Sequence, residues 1–484
     1  MIIAERLHIW LTALIGVLPI LLPLGVLVAL LAPPATLVKL LLVSFGLQTF
    51  FLDIGTTITL PRILAPLALL AFVLHDPQSL RRAWQQYPGR ELLILYLLFL
   101  AASIILNLPF LPEKDIQTTV APVNDILLRG RVGRGLTQWI VFALRSATPL
   151  LLLAALPTRE IAKKLLKLWI IVTTVVCLYG VYQVSAYYMD LPAIYIYRGF
   201  NDPTGEDPGS FALQTEERVF RISSLVGEPR DLAAVLLPMT VFLGVLVAQK
   251  RQGDLSTLFG RYTGRLLWGV FLLHAATFLL TFSTSGWVAA LLAVPWLIWM
   301  LRKTTSVWRL GKLVATAALG AALLAVLVPH VSQVLELRLL GRLSQIVLED
   351  PTYGIPQLLH MNRTWPHTLF LGASLGGTLL YEDFLASEIG IIHYVGEIGI
   401  LGIVLFAAFL QRAFSAINAQ AFQEHTSLDP IRVALGAAVL TSIVSLLAFS
   451  TPEAISALWV FLGFGAAFAA TTPSYHARGQ RQGR

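Results

Sequence analysis

Apolar runs of 17 or more residues recur along almost the whole chain, and no other feature restricts the fold so strongly. A run of that length matches the hydrocarbon thickness of a bilayer when it is helical. Hydrocarbon offers no water to the backbone, so a spanning segment must satisfy its own N–H and C=O groups. The runs are continuously apolar and do not alternate, which argues against a barrel. The composition agrees: 56% of the 484 residues are hydrophobic and 13% are charged. A soluble domain carries about 25% charged residues. The expectation is an all-α polytopic membrane protein.

Candidate spans fall at 9–32, 36–52, 59–75, 91–108, 135–156, 167–189, 231–248, 266–283, 285–301, 313–330, 389–410, 431–449 and 456–471. The first could imitate a secretory signal core, but it is long and no small-residue cleavage site follows, so it reads as a retained span. Lys39 weakens the second run and Arg62 breaks the third. One of these two reads as interfacial or re-entrant, which leaves about twelve spans with both ends inside. No soluble domain or internal repeat separates from the rest, so residues 1–484 read as one transmembrane domain.

The net charge of +8 would raise nucleic acid as a partner in a soluble protein. Here the basic residues sit in short loops: 76–90, 157–166, 249–265, 302–312 and the tail. Their alternation along the chain places them in the cytoplasm. Two long loops then fall on the outer face. Loop 190–230 holds four basic and seven acidic residues, and loop 331–388 holds three and six. The single cysteine, Cys177, rules out a disulfide within the chain and a cysteine zinc cluster. A phosphate-cradling Walker loop and an H-E-x-x-H pair are both missing from the sequence. So is the paired-aspartate pattern that holds a divalent metal on phosphates, and the expectation is no metal and no cofactor.

Four stretches carry polar chemistry near the outer face. In "RISSLVGEPRDLA", Pro229 suits a first helical turn, where its missing N–H costs nothing. Arg221, Arg230 and the start of that helix would together attract an anion such as a diphosphate. The alternative is that the arginines pair with Glu228 and Asp231 or lie against headgroups. In "SEIGIIHYVGEIGILGIVLF", Glu397 lies nine residues past Glu388, roughly 13 Å deeper at helical rise. His393 and Glu397 are four apart and share a helix face. They could orient or accept a proton, or make a buried hydrogen bond between helices. Gly399 and Gly402 would let another helix approach closely.

In "HMNRTWPHTLFLGASLGG", Arg363 with His360 and His367 could form a second anion or acid–base cluster beside Trp365. In "LTFSTSGWVAALL", Ser283 or Ser285 reads as a helix cap. Arg145 sits within an apolar run and should face the bundle interior. Tyr179, Tyr182, Gln183, Tyr187 and Tyr188 could line a sugar cavity or form an aromatic belt.

These four stretches, in this order and spacing over 218–406, resemble the bacterial O-antigen ligase and O-antigen polymerase family of polytopic glycosyltransferases. The corresponding family features are an arginine before a Gly-x-Pro turn, a Ser-rich hairpin, an Arg-then-Gly-x-x-x-Gly loop and a Glu-x-Gly-x-x-Gly helix. The resemblance implies a GT-C-type bundle of about twelve helices in the bacterial inner membrane, active at the periplasmic face. It implies a polyprenyl-diphosphate-linked oligosaccharide donor, membrane lipids around it, a chain-length regulator or flippase as partner, and no nucleic acid. Arg221 and Arg363 stand where the family places diphosphate-binding arginines, with Arg230 assisting. Glu228, Glu388 or His393 would handle the acceptor hydroxyl, and Glu397 would brace the site. The hairpin arginine of the family falls near Thr284 here, and its His-Asn pair falls at Glu388 and Ile389. Those departures favour a polysaccharide polymerase over a ligase that transfers polymer to a lipid acceptor. A polysaccharide or solute transporter is the alternative from another class.

Overall fold

The computed structural model describes residues 27, 31–47, 51–53, 57–107, 123–189, 221–226, 228–249, 263–302, 311, 368–373, 375, 390–418, 429–449 and 452–471. The elements run in the order α1 (Pro34–Phe45), β1 (Phe51–Asp53), β2 (Thr57–Thr59), α2 (Leu60–His75), α3 (Pro77–Gln86), α4 (Arg90–Asn107), α5 (Val123–Ser146) and α6 (Thr148–Ala155). They continue with α7 (Arg159–Tyr188), α8 (Pro229–Ala248), α9 (Thr263–Leu280), α10 (Thr284–Leu301), α11 (Thr368–Leu371), α12 (Gly390–Asn418), α13 (Pro430–Ala448) and α14 (Pro452–Ala470). The chain is a polytopic helical membrane protein. Among the described residues seven helices are long and apolar enough to cross a bilayer, or eight if the bent pair α2–α3 counts as one span. The candidate spans 9–32 and 313–330 lie largely or wholly outside the described residues.

The N-terminal third departs from the expectation of continuous helix. The run 36–52 is helical only to Phe45. Antiparallel strands β1 and β2 then pair Phe51 with Thr59 and Asp53 with Thr57. α2 and α3 meet at an angle of 114°. The bend has local causes: Asp76 leaves helical geometry and its carboxylate accepts from the Ser79 N–H, while Pro77 opens α3. Residues expected as a basic loop therefore form an amphipathic helix, with Ala83 buried and Arg81 and Arg82 exposed. α7 begins at Arg159, eight residues before the apolar run at 167. Thr158 caps it, Lys163 pairs with Glu160 at 3.1 Å, and Lys164 carries its charge outward along its first turns.

The centre of the bundle is α8 packed on α13, of whose spans 78% and 83% of residues are buried. α13 can be central because Ala434, Gly436, Ala437 and Ala438 let neighbours approach closely. Its hydroxyls need no outside partner: Thr441, Ser442 and Ser445 donate to the carbonyls of Ala437, Ala438 and Thr441. Aromatic rings weld α4, α5, α12 and α14 together. Tyr96 stacks on Phe406 at 5.0 Å, and Trp459 meets Phe142 and Phe409 at 6.1 and 5.7 Å. Such pairs contribute about 0.5–1.5 kcal/mol each beyond their buried area.

The helix ends sort into two groups. Residues of 76–90, 157–159, 416–417 and 466–471 surround neighbouring cavities at one end. Residues 107, 183, 221–224, 280–283, 372, 390 and 449 meet at the other. The basic loops 76–90 and 157–166 thus share an end, as their charge pattern predicts. Of the residues expected to carry chemistry, the described ones Arg221, Glu228, Arg230, His393 and Glu397 lie toward the opposite end.

Candidate functional site

At that opposite end, α8 starts as its sequence dictates. Glu228 is extended, with φ −96° and ψ 152°, Pro229 occupies the first turn, and Leu232 N donates to the Glu228 carbonyl at 3.0 Å. The Glu228 carboxylate does not cap the helix. It reaches instead toward Arg230, with Nη2 and Oε2 3.5 Å apart. The ion pair foreseen as an alternative is therefore present, but it is long and half-exposed, a geometry that contributes little. Arg230 Nε is buried with no hydrogen-bond partner among the described residues.

His393 and Glu397 lie on one face of α12, with Nε2 and Oε2 3.5 Å apart and side chains only 14% and 12% exposed. His393 Nδ1 is buried and without a hydrogen-bond partner among the described residues. Arg230 is near enough to His393 for its charge to act on the ring, and Glu397 and Tyr394 act likewise on Tyr96. α12 thus carries an imidazole, a carboxylate and a phenol close together, and the charges of α4, α8 and α12 act on one another across this end of the bundle. Burying these groups is costly unless they are paired or meet a ligand.

α12 is not continuous. Gly399 takes φ 66° and ψ 175°, a region open essentially to glycine alone, and the helix breaks just past Glu397. The expected close approach occurs here, and the partner is the C-terminal end of the short helix α11 with the residue that follows it. Gly372, with φ 77°, packs its backbone against Glu397 and Gly399, and a Cβ on Gly399 would strike the carbonyl of Phe370. Ala373 N donates to the Gly396 carbonyl at 2.7 Å, and Asn107 Nδ2 donates to the Gly372 carbonyl at 2.9 Å. Two stretches distant in sequence, "TLFLGA" and "GEIG", are therefore fastened together directly beside His393 and Glu397. Gly402 behaves differently: it faces Phe99 of α4 inside helical backbone.

Arg221 has a separate support. Its Nε donates to the Thr281 carbonyl at 3.2 Å, and Ile222 N donates to Leu280 at 3.2 Å. Ser224, at φ 53°, donates its N–H to Gln183 Oε1 at 2.7 Å. The segment before α8 is thereby laid across the α9–α10 turn, where Ser283 Oγ accepts from Gly286 N and caps α10 as foreseen. Arg221 and the Ser-rich hairpin, read separately in the sequence, are one unit. Gln183 serves this anchor, and Tyr182 and Tyr188 are exposed on the bundle surface, the arrangement of an aromatic belt. Arg145 is half-buried in the last turn of α5.

Glu388, Arg363, His360, His367 and Trp365 lie outside the described residues. Among the described residues no group of His, Cys, Asp and Glu could hold a metal ion. Three buried polar residues escaped sequence reasoning. Arg432 donates through Nε and Nη2 to the Ile417 carbonyl at 2.8 and 2.6 Å, closing the C-terminus of α12. Asp429 binds Arg159 at 2.7 Å and caps α13. His274 is fully buried, 2.8 Å from the Val270 carbonyl and 3.0 Å from Thr173 Oγ1. Pro430 two residues before Arg432 was the available signal, since it marks Asp429 as a cap and puts Arg432 in a first turn.

No family model matches the chain, and no curated protein matches it.

Proposed function

We propose that the chain is a metal-independent membrane glycosyltransferase. It would polymerise polysaccharide repeat units from a polyprenyl-diphosphate-linked donor at the outer face of the bacterial inner membrane. The observation that carries this reading is the buried His393–Glu397 pair, 3.5 Å apart, with His393 Nδ1 and Arg230 Nε both buried and without a hydrogen-bond partner among the described residues. A cation for the leaving diphosphate and a candidate base thus both lie at the end of the bundle away from the basic loops.

In the proposed reaction the acceptor hydroxyl oxygen attacks the anomeric carbon of the donor sugar. The bond from that carbon to the diphosphate oxygen breaks, and the diphosphate departs with the bonding electrons. Arg230, Arg221 and Arg363 would neutralise its charge, with guanidinium forks matched to phosphate oxygens. The hydroxyl proton would pass to His393, with Glu228 and Glu388 as the other candidates for this role. Glu397 would fix the His393 ring and stabilise its charged form. Because diphosphate is a good leaving group once neutralised, positioning and electrostatics can supply most of the rate. Transfer of finished polymer to a lipid acceptor uses the same chemistry and differs only in the acceptor.

The test is incubation of the purified protein with lipid-linked oligosaccharide, read as product length on a gel. A ladder of products supports polymerisation, a single shift onto a lipid acceptor supports ligation, and no product contradicts both. One observation favours a second class: a helix broken beside polar groups, as at Gly399, also occurs in transporters. Uptake of labelled solute by proteoliposomes with no glycan product would establish that reading instead.

A further inference from the structure

A polar cavity lies at the basic end, outside the site just described. It encloses about 370 Å³ between α3, the α6–α7 junction and the end of α14. Arg82, Arg159, Ser79, Thr158 and Thr471 line it together with apolar side chains such as Leu156, and no acidic residue does so among the described residues. Each guanidinium is positioned by one contact. Arg82 Nη2 donates to Ser79 Oγ at 3.1 Å, and Arg159 Nη2 pairs with Asp429 at 2.7 Å from outside the cavity. Each fork therefore keeps further N–H groups for a ligand, in the planar pattern that suits phosphate oxygens.

Depth identifies the ligand. α3 turns 114° away from α2 and presents its polar face outward. An amphipathic helix turned in this way lies at the level of the lipid headgroups. A cavity at that level, lined by arginine and hydroxyl groups together with leucine and alanine, matches a headgroup phosphate entering from the bilayer. We propose that this cavity binds the phosphate of an anionic phospholipid, held between Arg82 and Arg159.

The experiment is native mass spectrometry of the purified full-length chain titrated with phosphatidylglycerol, and in parallel with phosphatidylcholine of the same acyl chains. The wild type should retain phosphatidylglycerol preferentially. R82E should bind it about tenfold or more weakly, the loss expected for one charge-assisted contact. Arg82 is exposed, so R82E should melt within a few degrees of wild type. S79E, which places a carboxylate on the cavity wall, provides a second variant that should weaken binding in the same way. Equal retention of phosphatidylglycerol by wild type, R82E and S79E would overturn the proposal. Binding of inorganic phosphate that depends on Arg82, with no preference between the two lipids, would overturn the lipid assignment and leave a soluble phosphate as the ligand.

Discussion

The two ends of the bundle treat buried charge in opposite ways. At the basic end, Arg159 meets Asp429 at 2.7 Å and Arg432 meets the Ile417 carbonyl at 2.6 and 2.8 Å. The Arg432 contacts are short charge-assisted hydrogen bonds, and Arg159 and Asp429 form a close ion pair. At the other end, Arg230 lies 3.5 Å from Glu228 and His393 lies 3.5 Å from Glu397, while Arg230 Nε and His393 Nδ1 are buried without hydrogen bonds among the described residues. Burial without full pairing is expensive. Evolution tolerates it where a ligand completes the pairing, which is why the second cluster reads as a site and the first as a brace.

Substitutions at the two ends should separate these roles. The largest effect on stability is expected from Arg432→Met, which leaves the last turn of α12 unclosed and Asp429 with one cation fewer. Breaking such a buried arrangement costs about 3–5 kcal/mol, so the thermal midpoint in detergent should fall far below wild type. An unchanged midpoint would erase the distinction between brace and site. Gly399→Ala comes next. It forces alanine into a left-handed conformation and pushes its Cβ into the Phe370 carbonyl, at a cost of at least about 2–3 kcal/mol. Activity should be lost together with the bond from Ala373 to Gly396, seen as faster amide exchange over 368–373. Unaltered exchange would show that the loop is held by something else.

His393→Gln should leave the melting temperature within a few degrees of wild type and slow turnover by about 100-fold, the contribution of a general base. A variant that unfolds at normal specific activity would make His393 a brace as well. The smallest effect is expected from Asp76→Ala, which removes the α3 cap for about 1 kcal/mol. It should lower stability slightly and leave turnover unchanged, because α3 belongs to the end remote from the cluster.

What the sequence shows and hides follows from how local each cause is. The start of α8 at Pro229 and the cap at Ser283 were legible because a proline or a serine acts within one turn. The shared face of His393 and Glu397 followed from helical period alone. The break at Gly399 was not legible. A glycine in an apolar run serves equally for close packing, as Gly402 does, or for positive φ, and the deciding partner lies 27 residues away in sequence at Gly372. The bend at Asp76 was hidden for another reason: basic side chains that suggest a loop also decorate an interfacial helix such as α3. Arg221 and Arg230 were grouped by proximity in sequence, and their separate supports, the α9–α10 turn for Arg221 and Glu228 for Arg230, were not legible there.

The most direct test is the product ladder from lipid-linked oligosaccharide made by purified Arg230→Ala beside wild type at matched melting temperature. If the Arg230 end is the catalytic one, the wild type makes a ladder and the variant makes it about 100-fold more slowly or not at all, the loss expected for one charged donor on the leaving group. A ladder of equal rate and length from the variant would contradict the central claim.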